Sequence, residues 1–135
     1  MTKNIDKFMV CVMSGSCLTV LERLFGTYDK SLGFLLLMMM LDFITGIMCG
    51  AKEHKLSSEI CVNGLFKKLF VLVYVIIGHH LDVLLGVTYI RTAICYMYAT
   101  SEIISMIENG TRLGLSVPEP IKKALDILNG GKEDD

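Results

Sequence analysis

Leu32 to Gly50 reads LGFLLLMMMLDFITGIMCG, and this stretch decides the fold of the chain. It contains one ionisable side chain, Asp42, near its middle. At about 1.5 Å per residue, a helix of this length reaches about 28 Å, which is close to the hydrocarbon thickness of a bilayer. A soluble chain of this size could not supply a core large enough to bury such a helix. The stretch therefore predicts a transmembrane helix.

The composition of the whole chain agrees with a membrane protein. Of 135 residues, 53% are hydrophobic and 20% are charged, and long uncharged runs alternate with short charged clusters. The net charge of −1 gives no basic field that would favour nucleic acid. The cysteines have no CxxC pair and no histidine spacing typical of zinc, so we expect them to act as small hydrophobic residues. They are Cys11, Cys17, Cys49, Cys61 and Cys95.

Further apolar runs predict an all-α membrane protein with three to four transmembrane helices in a single domain over residues 1–135. The first apolar run, 8–25, is short for a span, so a helix that lies in the membrane interface is the alternative for it. The polar segment 51–68 is predicted as a connection, with a turn at Asn63-Gly64 before the next helix. A short amphipathic C-terminal helix, opened by Pro118 and Pro120, is expected in the cytoplasm. The possible spans are 8–25, 32–50, 69–87 and 92–107, and the tail is 108–135.

The distribution of lysine and arginine predicts the topology. With four spans, one side of the membrane receives Lys3, Lys7, the four lysines of 51–68 and the cationic residues of the tail. The other side receives Arg23, Lys30 and Arg91. Because cytoplasmic segments carry the excess of positive charge, this count predicts a multi-pass protein with both termini in the cytoplasm. Three spans would move the N-terminus and its two lysines outside.

Three carboxylates lie inside the predicted spans. A carboxylate at the centre of such a helix costs about 2.5–3.5 kcal/mol, so it usually faces a partner or water. On the span 32–50, small and polar residues recur with helical spacing and form one stripe, namely Asp42, Thr45, Gly46, Cys49 and Gly50. Gly46 and Gly50 also form a GxxxG pair. Packing within one chain and contact with an aqueous lumen or another subunit are both open readings. The candidates for pore-lining or inter-subunit positions are Asp42, Thr45, Gly46, Gly50, His79, Asp82 and Glu102.

The other two spans carry similar stripes. Gly78, Asp82 and Gly86 recur at every fourth residue, with His79 beside them. The last span places small and polar residues on one face, namely Thr92, Cys95, Ala99, Glu102, Ser105 and Asn109. Three such faces in so small a protein favour self-association.

The sequence gives little support for catalysis. His79, His80 and Asp82 could suggest an acid–base pair or a metal site, but no nucleophile or third ligand stands at a recognisable spacing. An interhelical hydrogen-bond cluster explains them better. The chain also lacks a glycine-rich phosphate loop and an HExxH motif. We therefore expect a protein that is not an enzyme and has no catalytic, cofactor or metal residues.

Several segments together resemble a family, the phage holins of the toxin secretion/phage lysis type from Gram-positive hosts. The similar segments are Leu41 to Gly46 (LDFITG), Gly64 to Leu69 (GLFKKL), Leu81-Asp82, Tyr98 to Asn109 (YATSEIISMIEN), Gly114, Pro118 and Pro120. The resemblance implies a homo-oligomer in the host cytoplasmic membrane that opens lesions for host cell lysis. Its partners would be membrane lipid and other copies of the chain. Endolysin, or a large toxin, would be released as cargo and not bound.

The resemblance also implies a second start codon, since holins of several kinds use one to make a longer inhibitory form. Met9 and Met13 are the candidates here, because starting at either removes Lys3 and Lys7. Two other functions stay open at this point. A small ion-conducting channel would also carry buried carboxylates, and a non-permeabilising scaffold or anti-holin would use the same small-residue faces.

Overall fold

The computed structural model describes residues 15–54 and 58–128, and all regular structure within these ranges is helical. The first helix, α1, covers 15–25, and its C-terminal end is followed by Gly26 with a positive φ of 77°. The remaining helices are α2 (Lys30–Lys52), α3 (Ser58–Leu85), α4 (Ile90–Leu113) and α5 (Glu119–Leu128). The all-α prediction is confirmed. Lys3, Lys7, Met9, Cys11, Met13 and the start of the predicted span 8–25 lie outside the described residues.

Two of these helices are long and apolar enough to cross a membrane. They are Lys30–Lys52, with a mean hydropathy of 2.1, and Cys61–Leu85, with a mean hydropathy of 1.8. The predicted span 32–50 lies within the first of them. The side chain of Asp29 caps α2 by accepting a hydrogen bond from the backbone N–H of Leu32 at 2.9 Å. The spans 8–25 and 92–107, the division into domain and tail, and the cytoplasmic placement of the C-terminal helix stay predictions.

The start of α3 corrects the sequence analysis. The predicted turn at Asn63-Gly64 is wrong, because both residues lie inside α3, and the connection to α2 is much shorter than 51–68. A glycine in a helix costs only about 1 kcal/mol relative to alanine. The apolar residues Val62, Leu65 and Leu69 recur at helical spacing on both sides of Gly64, which favours a continuous helix. The helix that contains most of the predicted span 69–87 therefore begins earlier, and it ends at Leu85, before Gly86 in the turn.

The helix α4 holds the bundle together. Both α2 and α3 pack against α4, whereas α2 and α3 contact each other little. The fully buried side chains Leu35, Val75, Cys95 and Ala99 form the core, with Leu32 and Met39 beside them. These residues come from the first halves of α2 and α4 and the middle of α3. The core therefore fills one half of the bundle and leaves the other half less densely packed.

Gly78 lets α3 approach α4 closely. A Cβ atom at this position would lie 2.6 Å from Cδ1 of Ile94 and 3.1 Å from Cα of Arg91. We expect Gly78→Ala to lower the free energy of unfolding by about 1–3 kcal/mol, as overpacked cores do. Denaturant titration of the purified chain in detergent micelles measures this quantity.

The matched control is Gly64→Ala on the same helix, because a Cβ there would meet nothing within 4 Å. Alanine at an unobstructed helical position should raise the free energy of unfolding by up to about 1 kcal/mol. Equal stability of the two variants would contradict the close approach at Gly78.

Candidate functional site

A partly buried ion triad joins the three long helices. The ammonium group of Lys68 in α3 donates a hydrogen bond to Asp42 Oδ2 in α2 at 3.0 Å. It also donates a short hydrogen bond to Glu102 Oε2 in α4. The three side chains are only 12–15% exposed. Two carboxylates thus share one cation, and the triad carries a formal charge of −1 when all three groups are ionised.

The triad lies about halfway along the long helices. Asp42 precedes the end of α2 by ten residues, Lys68 follows the start of α3 by ten, and Glu102 precedes the end of α4 by eleven. At about 1.5 Å per residue, each side chain stands about 15–17 Å from the same end of the bundle. If α2 and α3 cross a bilayer, this position lies within the hydrocarbon, where an unpaired charge is costly.

Asn109 extends the triad into a network between α2 and α4. Its amide Nδ2 donates to Asp42 Oδ1 and to Thr45 Oγ1, both at 3.3 Å, and its backbone carbonyl accepts from Cys49 Sγ at 3.5 Å. A Cβ atom on Gly46 would lie 3.8 Å from Nδ2 of Asn109. The polar stripe predicted on α2 therefore faces α4 within the same chain. For Asp42 and Thr45, these contacts support packing within one chain, which was one of the two alternatives.

A groove leads from the triad to one end of the bundle. Its volume is about 960 Å³, and α2 and α3 form its walls while α4 forms its floor. The floor carries the polar side chains of Ser101, Glu102, Ser105 and Asn109, whereas most of the surface of the groove is apolar. At the end of the groove, Arg112 donates two hydrogen bonds to the Glu53 carboxylate, at 2.9 and 2.7 Å. The candidates Gly46 and Gly50 also line this groove.

Asp82 and the two histidines lie away from the triad. Asp82 follows Lys68 by fourteen residues on α3, which corresponds to about 21 Å. Its two carboxylate oxygens accept hydrogen bonds from the backbone N–H groups of Ile90 and Arg91, at 2.9 and 3.1 Å. These contacts give Asp82 a role as a cap for α4. A pore-lining role for Asp82 and His79 stays an untested prediction, and neither residue lines the groove.

The histidines do not form a hydrogen-bonded pair with Asp82. His80 Nδ1 lies 2.9 Å from the carbonyl of Ile76 in its own helix, and the rings of His79 and His80 meet edge to face. Within the described part of the chain, no group of three His, Cys, Asp or Glu side chains could hold a metal ion.

Arg91 joins the two connections at the other end of the bundle. Its Nη1 donates to the carbonyls of Phe25 at 2.7 Å and Thr27 at 3.0 Å, and its Nη2 forms an ion pair with Asp29. Burial acts to raise the pKa of Asp29, but hydrogen bonds from Leu32 and Ser31 and the charge of Arg91 hold that pKa below its ordinary value. This Arg91 clamp fixes the end of α1 to the start of α4.

Sequence reasoning missed Lys68, because that residue was placed in a cytoplasmic connection. One signal could have found it, since two carboxylates within apolar helices require a cation at a similar depth. Lys68 directly precedes the apolar run 69–87, with no turn residue between them. The Arg91 clamp left no comparable signal, because two of its three acceptors are backbone carbonyls, which no residue type reveals.

Two apolar helices of membrane-spanning length, with ionisable side chains paired between them, are typical of an all-helical membrane protein. The sequence profile of the bacteriophage holin family matches residues 19–130, and the chain belongs to this family. The resemblance to phage holins is thereby confirmed. The family also indicates a membrane protein that is not an enzyme.

Relatives of the chain cover most of its length. It is 40% identical to an uncharacterised 14.9 kDa protein in the nagH 3′ region of Clostridium perfringens, over 84% of this chain and 88% of that protein. It is 33% identical to the uncharacterised protein Lin0175 of Listeria innocua, over 86% and 84% of the two chains. It is 26% identical to a probable holin of Bacillus phage phi105, over 77% and 78%. No solved structure shows a significant match to this chain.

Proposed function

We propose that this protein acts as a holin that self-associates in the bacterial cytoplasmic membrane and forms lesions through which endolysin leaves the cell. Membership of the holin family supports the general activity. The observation that carries the lesion-forming step is the triad of Asp42, Lys68 and Glu102, which places three ionisable groups midway along membrane-length helices. Such groups are functional by default, because hydrocarbon does not tolerate them without a partner or water.

The groove beside the triad supports self-association. Its floor is polar, and it runs from the middle of the bundle to the end that holds Glu53 and Arg112. When several copies assemble, such a surface can meet protein or form part of an aqueous wall. In this proposal Asp42, Thr45, Gly46, Gly50 and Glu102 belong to that surface. Lipid and other copies are the binding partners, and endolysin is cargo.

The test is induced expression in a bacterium together with an endolysin that lacks a secretion signal, while membrane potential and turbidity are recorded. We expect abrupt depolarisation, followed by lysis only when the endolysin is present. Depolarisation without release of endolysin would contradict a protein-sized lesion and would indicate a narrow ion channel. If neither depolarisation nor lysis occurs, the result would indicate a scaffold or an anti-holin.

Asp42→Asn tests the contribution of the carboxylate itself. Asparagine keeps the shape of the side chain, but it removes the charge that faces Lys68 at 3.0 Å. We expect the time of lysis to change, because the charge of the triad then falls from −1 to zero. A matched control is Glu119→Gln, which neutralises an exposed carboxylate on α5, outside the long helices. Lysis of the Asp42→Asn variant at the wild-type time would show that this charge has no part in lesion formation.

A further inference from the structure

The groove leaves a polar surface without a cover. Ser101, Glu102 and Ser105 line it from α4, and no described part of the chain lies across the groove opposite α4. In a bilayer, hydrocarbon would then meet hydroxyl and carboxylate groups, which is costly. A partner that covers this floor must bring both apolar contacts for the walls and a polar or charged group for the triad.

The partner that we propose is the α3 helix of a second copy. In the arrangement that we infer, two copies are related by a two-fold axis along the membrane normal, and each α3 lies in the groove of the other. The two copies then have the same orientation in the membrane, and the same surface of each copy forms the interface. This inference rests on the self-association in the proposed function, and it assigns that association to a specific helix.

The first argument for α3 is charge. The triad has one carboxylate more than it has cations, so it carries a formal charge of −1. Lys67, the neighbour of Lys68, lines the groove, is exposed, and makes no hydrogen bond or ion pair with any described residue. Lys67 does not pair with the triad of its own chain, although both line the same groove. When α3 of one copy enters the other groove, its Lys67 ammonium group can pair with the triad there, which carries the formal charge of −1 when all three groups are ionised. The two-fold symmetry makes this pairing reciprocal.

The second argument is the apolar surface of the same part of α3. Phe66 and Phe70 are 56% and 63% exposed, and Phe70 and Tyr74 line the groove on the same side as Lys67. Aromatic side chains with a neighbouring cation provide both kinds of contact that the groove requires. In this arrangement the helices α3 and α4 of the two copies form a four-helix core, with Phe70 of one copy close to Phe70 of the other.

Disulfide cross-linking in the membrane tests this arrangement. All five cysteines are first replaced by serine or alanine, and the cysteine-free chain is assayed for depolarisation and lysis. Phe70→Cys is then introduced and oxidised in native membranes. We expect a covalent dimer. Depth-matched controls on the same helix are Leu69→Cys and Val73→Cys, which are 49% and 46% exposed but do not line the groove, and we expect these chains to stay monomeric.

A charge reversal gives an independent measurement. Lys67→Glu in the Phe70→Cys chain should reduce the dimer to the level of the controls, whereas Lys122→Glu, at an exposed lysine of α5, should leave it unchanged. Dimer at Leu69→Cys or Val73→Cys equal to that at Phe70→Cys would overturn the arrangement, and so would an unchanged dimer with Lys67→Glu. Lysis without a groove-specific cross-link would overturn this inference and leave the holin proposal standing. A groove-specific dimer without depolarisation would support this inference and contradict the holin proposal.

Discussion

Lys68→Met is expected to lower the free energy of unfolding by about 3–5 kcal/mol, the range found when one partner of a buried ion pair is removed. Lys68 is 13% exposed and is the only cation that the described structure places within hydrogen-bond distance of Asp42 and Glu102. Without it, two carboxylates stand close together midway along apolar helices. Denaturant titration in detergent micelles gives the free energy, and the amount of protein recovered from membranes gives a second measure.

A charge-free triad separates the loss of the cation from the loss of the lysine side chain. The triple variant Lys68→Met, Asp42→Asn, Glu102→Gln keeps side chains of similar size and carries no charge at the site. We expect it to recover most of the stability lost in the single variant, because replacing a whole buried ion group by neutral residues is often close to neutral. If the triple variant is as unstable as Lys68→Met alone, then packing of the lysine stem and not its charge holds α3 in place.

The same pair of variants bears on function. A stable, charge-free triad that still lyses cells on time would show that the ion group serves only to hold the three helices together. A stable triad that no longer lyses cells would assign the charges to lesion formation. The comparison is informative because stability is measured on the same chains.

The part of the fold that could be predicted is the part where one physical effect dominates. Residues 32–50 carry Asp42 as their one ionisable side chain, and α2 contains them all. The stripe of Asp42, Thr45 and Cys49 was likewise predicted as one face, because helical spacing requires it. Contacts with Asn109 confirm that this face is shared.

The start of α3 could not be predicted because local and tertiary preferences conflict there. Asn63-Gly64 is a turn signal, yet the helix continues through it and carries Lys68 to the depth of Asp42 and Glu102. The pairing of Lys68 with Asp42 and Glu102 depends on how the three helices pack, and the periodicity along one helix does not predict that packing. Asp82 gives a second example, since its carboxylate lies within the predicted span 69–87 and accepts hydrogen bonds from the backbone N–H groups at the start of α4, a contact between helices that periodicity along α3 does not reveal.

Arg91→Ala is expected to lower the free energy of unfolding by about 2–4 kcal/mol, because hydrogen bonds to charged groups contribute about 1.5–3 kcal/mol each. Most of the effect should come from the carbonyl of Phe25, whose hydrogen bond is partly buried. The ion pair with Asp29 should add little, because the Asp29 side chain is 39% exposed and is screened by solvent.

The informative control for this clamp is Arg91→Lys, which keeps the charge but not the planar fork that reaches several acceptors at once. If the clamp depends on geometry, Arg91→Lys should be nearly as unstable as Arg91→Ala, and wild-type stability of the lysine variant would show that charge alone suffices.

The pH dependence of stability provides a further check on the clamp. Because the pKa of Asp29 is held below its ordinary value, its contribution to stability is present above that ordinary value and is lost as the pH falls through the lowered one. Removing Arg91 raises the pKa of Asp29, so acid unfolding of Arg91→Ala should begin at a higher pH than in the wild type.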